Sequence, residues 1–308
     1  MGYYNSNFKC SYIQDVKDRY KYASQVEDNI GLLFRRVEDW EKDKEKDIYD
    51  WSVEEIIEFY KWLSTPSLES LMIMNNQYKL YAAFALKNGM IRDNQNHFDE
   101  IDLETLNTCV NYGLIKRQII TRKNLLDILT SSDVENISDQ VIALAIFEGI
   151  GGKNMEELTA LEPTDINMQT KEVSLISGRK FKISDKLIAW CFESADEYNY
   201  YNSMSKISNK SYLLSDTRVI KRLSNSTVDS VQQRHKTINR RLDHIKALTN
   251  CGAFAIGALR ESGRLEMIRN LRNSGLSLDE ALKNDEMAYR YGIITSRKRY
   301  CLKFGLSE

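Results

Sequence analysis

Between Arg218 and Lys246 eight basic side chains stand against two acidic ones. A stretch of that composition suits phosphate contact, because lysines and arginines that neutralise successive phosphates release the counterions condensed on a nucleic-acid backbone. Arg218, Lys221 and Arg222 lead into the stretch, and Arg234, Lys236, Arg240 and Arg241 follow within one helical pattern. There Val231, Ile238, Leu242 and Ile245 form a core-facing stripe and leave the four cations on other faces. A solvated helix would carry the same cations. A second basic cluster, Arg179, Lys180 and Lys182, falls at the turn and far strand of a hairpin. Metal chemistry is not expected: His97, His235 and His244 are isolated, and Cys10, Cys109, Cys191, Cys251 and Cys301 contain no C-x-x-C pair. The cysteines read as reduced structural thiols, and no cofactor is expected.

The elements that must position these groups are mainly helical. At 308 residues the chain exceeds one typical domain, and 42% hydrophobic with 28% charged residues is ordinary for a soluble globular protein. The net charge of −1 conceals an asymmetry: residues 1–115 carry 13 basic and 20 acidic side chains, and residues 116–308 carry 30 and 24. Helices are predicted over 25–46, from the spacing of Ile30, Leu33, Phe34, Val37 and Trp40, and over 52–64, from the capping box Ser52-Val53-Glu54-Glu55. A third over 67–87 stops at Asn88-Gly89. Residues 93–120 read as a polar linker with one short helix near 103–112. Further helices are predicted from Thr121 and over 139–148, the latter apolar almost all round and therefore buried. Glu172–Ile176 and Phe181–Ile183 alternate as two strands around Ser177-Gly178-Arg179-Lys180.

Gly149-Ile150-Gly151-Gly152-Lys153-Asn154-Met155-Glu156-Glu157-Leu158-Thr159-Ala160-Leu161, followed by Pro163-Thr164-Asp165-Ile166, resembles the first signature box of tyrosine recombinases. Trp51-Ser52-Val53-Glu54-Glu55-Ile56 and Leu80–Ile91 resemble the helical core-binding domain of phage integrases. The resemblance implies an α+β fold, mainly α with a small β-sheet, in a two-domain clamp. Residues 1–115 would form a helical, SAM-like core-binding domain and residues 116–308 a catalytic-type domain. It also implies a site in which two arginines, a hairpin lysine and histidine-type groups hold a phosphodiester for a tyrosine nucleophile, with charge on the phosphate oxygens answered by cations.

Position by position, that site is altered. Asn154 stands at the first arginine, and Lys153 beside it lacks the planar two-pronged contact. Lys180 is the nearer match to the hairpin lysine. Gly257-Ala258-Leu259-Arg260 gives the best register for the second box, with Gly257 at the histidine and Arg260 retained. Tyr291 replaces a later histidine and Tyr300 falls at the nucleophile. With the site so depleted, no catalytic residue is expected. The expectation is a sequence-specific, double-stranded DNA-binding protein, a catalytically inactive recombinase homologue that represses the lytic genes of a prophage. An active or attenuated recombinase and an accessory DNA- or protein-binding factor are the alternatives. The expected DNA contacts are Asn76, Lys79, Arg179, Lys180, Lys182, Arg218, Lys221, Arg222, Arg234, Lys236, Arg240, Arg241 and Arg260. Operator-like duplex DNA is the expected partner, with self-association or a phage regulatory protein as further possibilities. A cytoplasmic location without membrane contact is expected.

Overall fold

The computed structural model describes residues 4–19, 23–201, 210–224 and 230–306. Residues 225–229 of the basic stretch lie outside the described residues. The chain divides into two compact units, Met1–Leu114 and Ile115–Glu308.

The first unit is helical: α1 (Ser6–Arg19), α2 (Ala23–Lys44), α3 (Val53–Trp62), α4 (Leu68–Lys87), α5 (Leu103–Thr108) and α6 (Tyr112–Lys116), which holds the boundary. Ser52 caps α3, its hydroxyl accepting from Glu55 N while the Glu55 carboxylate takes Ser52 N. Ser67 caps α4, and Gly89 follows that helix at φ +65°, where a glycine pays no Cβ penalty. Ile30, Phe34 and Val37 of α2 pack with Trp51, Phe59, Leu71, Tyr78 and Tyr81 in one core. One element lies outside the sequence reading and another departs from it. The polar pattern of α1 hides a docked helix: the Tyr12 ring packs at a tilt on Tyr81, centroids 5.1 Å apart, and Lys9 is wholly buried as an ion pair with Glu41. Residues 93–120 are not a loose linker, since Phe98, Ile101, Leu106, Cys109 and Val110 insert into the same core.

The second unit is built on α8 (Ile137–Phe147), a helix buried on almost every face, as its all-round apolar sequence requires. Around it come α7 (Arg122–Leu129), α9 (Glu156–Ala160), α10 (Asp185–Asp196), α11 (Val231–Thr249), α12 (Ile256–Asn273), α13 (Leu278–Lys283), α14 (Asp285–Tyr291) and α15 (Arg297–Phe304). The antiparallel sheet β1 (Ile166–Asn167), β2 (Glu172–Ser174), β3 (Lys180–Lys182) pairs Val173 with both Ile166 and Phe181, which places those three apolar residues on the core face. β4 (Asn199–Tyr201) and β5 (Lys210–Tyr212) form a separate two-stranded pair. The mainly helical fold with small antiparallel sheets agrees with the sequence reading.

Helix α12 reaches α8 through a glycine. A Cβ on Gly263 would lie 1.7 Å from the Phe147 carbonyl oxygen, so only a hydrogen fits there. The Tyr291 hydroxyl donates to the same oxygen at 2.8 Å. After α8 the chain turns through Gly149 (φ +95°) and Gly152 (φ +72°), then Asn154 (φ 54°) and Met155 (φ 61°). Asparagine tolerates the left-handed region, whereas methionine there is strained by of order 1 kcal/mol.

Candidate nucleic-acid interface

The glycine-rich turn after α8, the start of α12 and the first turns of α11 enclose a cavity of about 180 Å³ in the second unit. Gly149, Gly151, Gly152, Asn154, His235 and Arg260 are among its lining residues. Asn154 and Arg260 therefore meet at one opening; Lys180, Gly257, Tyr291 and Tyr300 do not line it. Arg260 is an exposed residue whose Nη2 donates to the Tyr291 carbonyl at 2.9 Å; partial burial of the guanidinium, and then the neighbouring Arg264, lower its pKa. Its other N–H groups form no hydrogen bond among the described residues. Such a group offers the paired donors that clasp a phosphate.

Of the other expected site positions, the two tyrosines are buried with structural partners. Tyr300 on α15 is 8% exposed; its hydroxyl donates to Glu261 Oε2 at 3.0 Å and its ring lies against Phe304 and Arg264. Burial, and then the Glu261 carboxylate, raise the Tyr300 phenol far above its ordinary value. Tyr291 is buried with its hydroxyl on Phe147, and burial raises it in the same direction. Gly257 is exposed, and a Cβ there would meet open space, so size does not exclude a side chain at that position. Lys180 and Lys182 are exposed on either side of the inward Phe181, and Lys180 N donates to the Tyr289 hydroxyl at 2.9 Å.

Three expected DNA contacts, Arg179, Arg241 and Lys221, are corrected by the packing. Arg179 uses all five N–H groups internally: Nε and Nη2 hold the Glu157 carboxylate, Nη2 also reaches Gly149 O, and Nη1 donates to Tyr289 O and Arg290 O. Burial alone would raise Glu157, but Arg179, Ser177 and Gly151 N hold it below its ordinary value. Arg241 is buried, donating to Ser138 Oγ at 2.8 Å and to Lys221 O at 3.2 Å, with Asp139 at 3.6 Å. Lys221 is buried too, its Nζ on Glu197 O. Lys79 on α4 is ion-paired with Asp99 beside the exposed Asn76. Arg218, Arg222 and Arg234 are half-buried, while Lys236 and Arg240 are exposed.

The helical wheel explains the error on α11. Arg241 stands three residues after Ile238 and four before Ile245, inside the interior stripe, whereas Val231 is 43% exposed. His235, three residues before Ile238, shares that inner side and was missed because a lone histidine in a basic stretch carries no pairing signal. The two neighbouring arginines should therefore separate on mutation. Arg241→Ala strands the buried Asp139 carboxylate and is expected to cost about 3–5 kcal/mol in urea unfolding. Arg240→Ala is expected to leave the unfolding midpoint unchanged and to weaken duplex DNA binding; the reverse pattern would refute this placement.

Among the described residues no group of three or more histidines, cysteines or carboxylates is arranged to hold a metal ion. No described helix is long and apolar enough to cross a membrane.

Residues 3–87 match the family model described as the MrpR N-terminal core-binding domain, and residues 119–305 that described as the MrpR C-terminal catalytic domain. The solved Tn1549 transposon integrase in complex with circular intermediate DNA aligns over 98% of this chain and 96% of that chain at 12% identity, with a TM-score of 0.51. The crystal structure of XerA recombinase aligns over 98% of this chain and 94% of that chain at 14% identity, with a TM-score of 0.38. No curated protein sequence matches the chain. The fold is that of a tyrosine-recombinase integrase, and the chain belongs to the MrpR family.

Proposed function

We propose that this protein binds double-stranded DNA at specific sites without cutting it, and that it acts as a prophage repressor of lytic genes. The observation that carries this reading is the contrast between Arg260 and Tyr300. Arg260 keeps open donors at the cavity, whereas the Tyr300 hydroxyl is buried and committed to Glu261. A nucleophile must reach phosphorus and is helped by a lowered pKa, whereas the Tyr300 hydroxyl is buried and its pKa is raised. Arg260 then holds a backbone phosphate, while Lys180, Lys182, Lys236 and Arg240 supply further exposed cations. The DNA bound by the Tn1549 integrase supports duplex DNA as the ligand. Loss of cleavage with retention of site binding leaves regulation as the use of the fold, as in the integrase-like master repressor of SPβ-type prophages, which the sequence resembles. Cytoplasmic residence follows from that role.

The matched description of a catalytic domain favours a second reading, a working recombinase. Nicked suicide duplexes separate the two. The full chain is expected to retain such duplexes in a native gel and to form no covalent adduct in a denaturing one. A Tyr300-dependent adduct would establish the enzyme instead.

A further inference from the structure

We infer that His235 is a phosphate-binding residue that works together with Arg260, supplying from α11 the imidazole that the site lacks at Gly257. The inference rests on the DNA-binding reading above and adds to it a residue from an element outside the site's expected six positions. His235 and Arg260 line the same cavity, one from the first turns of α11 and the other from the start of α12. Gly257 presents nothing to that space.

One ring nitrogen of His235 has a neighbour on its own helix. Asn239, one turn along α11, sets its side-chain amide nitrogen 3.4 Å from His235 Nε2. That contact occupies Nε2 and leaves Nδ1 with no partner among the described residues. The other polar side chains that line the cavity are Arg260 and Asn154. The nearby backbone N–H of Gly151 is already taken by Glu157 at 2.9 Å and adds no donor. One guanidinium, one imidazole and one amide suit a single phosphodiester, the unit of a nucleic-acid backbone.

Two groups on one phosphate must be energetically coupled, whereas two on different phosphates contribute independently. A double-mutant cycle with a duplex of mixed sequence reads this directly. His235→Ala and Arg260→Ala are each expected to weaken binding about tenfold, the size of a hydrogen bond to a charged group. The double variant is expected to lose clearly less than the hundredfold product, because the phosphate is no longer held in place for whichever group remains. His235→Gln, which keeps a neutral donor, is expected to recover most of the loss, and melting curves of all variants should superimpose on that of the parent. Wild-type affinity in His235→Ala, single losses that multiply, or a His235→Gln no better than His235→Ala would each overturn the pairing while DNA binding stands. Failure of the unmodified protein to bind duplex DNA at all would remove the functional reading, and this inference with it.

Discussion

Gly263→Ala is expected to be among the most damaging single-methyl changes in the protein, lowering the stability of the second unit by about 3 kcal/mol, the upper part of the range for overpacking. The new Cβ would lie 1.7 Å from the Phe147 carbonyl oxygen and 2.8 Å from the Tyr291 hydroxyl. Neither neighbour can yield alone. The carbonyl belongs to α8, the buried centre of the unit, and the phenol is held to that same oxygen. Relief therefore requires α8 and α12 to separate along a packed face. In a unit of this size the loss corresponds to roughly 6–12 °C in melting temperature. Gly257→Ala on the same helix is the control: its Cβ meets open space, and a helical Gly→Ala exchange is mildly favourable, by up to about 1 kcal/mol. Equal melting temperatures for the two variants would show that the close approach is not as tight as described.

The second large effect is a pH dependence in the first unit. Lys9 is buried against Glu41 and lies 3.9 Å from Asp47 Oδ2, so one cation serves two buried carboxylates. Ile48 N donates to Glu41, while the Tyr81 hydroxyl and Asn5 donate to Asp47, and Tyr49 stands beside Asn5. Burial, and then repulsion from Asp47, push Glu41 up to about 7 despite Lys9; burial also raises Asp47. A carboxyl whose folded pKa exceeds its unfolded value binds its proton more tightly when folded. Its contribution is present in full below about 4.5 and is lost as the pH rises through about 7. The size is of order 3 kcal/mol. Glu41→Gln removes this titration. The difference in unfolding free energy between wild type and Glu41→Gln should therefore slope across pH 4.5–7, measured by tryptophan fluorescence, since Trp40, Trp51 and Trp62 belong to this unit. A flat difference would mean that the cluster titrates elsewhere.

What could be read without coordinates was whatever is written in local periodicity. The Ser52–Glu55 capping box, the Asn88-Gly89 stop, the all-apolar α8 and the hairpin around Gly178 each follow from a rule that spans a few residues. Helix α1 buries Lys9 with Tyr12, Ile13 and Val16, a stripe that the sequence hides because Lys9 becomes a core residue only where α2 brings Glu41 to meet it. The same holds for Arg241, whose interior place depends on Asp139 and Ser138 about a hundred residues earlier. At the site, the sequence register leads to Asn154 and Arg260, which the fold brings to one cavity. It offered no route to His235, since nothing in the sequence relates position 235 to position 260 before α11 and α12 are packed.

Arg179 and Glu157 carry a consequence for how this protein can change over generations. The guanidinium ties the β2–β3 turn to the carbonyls of α14 and to the glycine turn after α8, and Glu157 is nearly inaccessible beneath it. Losing either partner alone leaves a shielded charge without its counterpart. Inheritance would then treat the two as one character, altered together or kept together. Gly257, where an added Cβ would meet open space, bears no comparable tie, so that position is free to change alone while the frame around it stays upright.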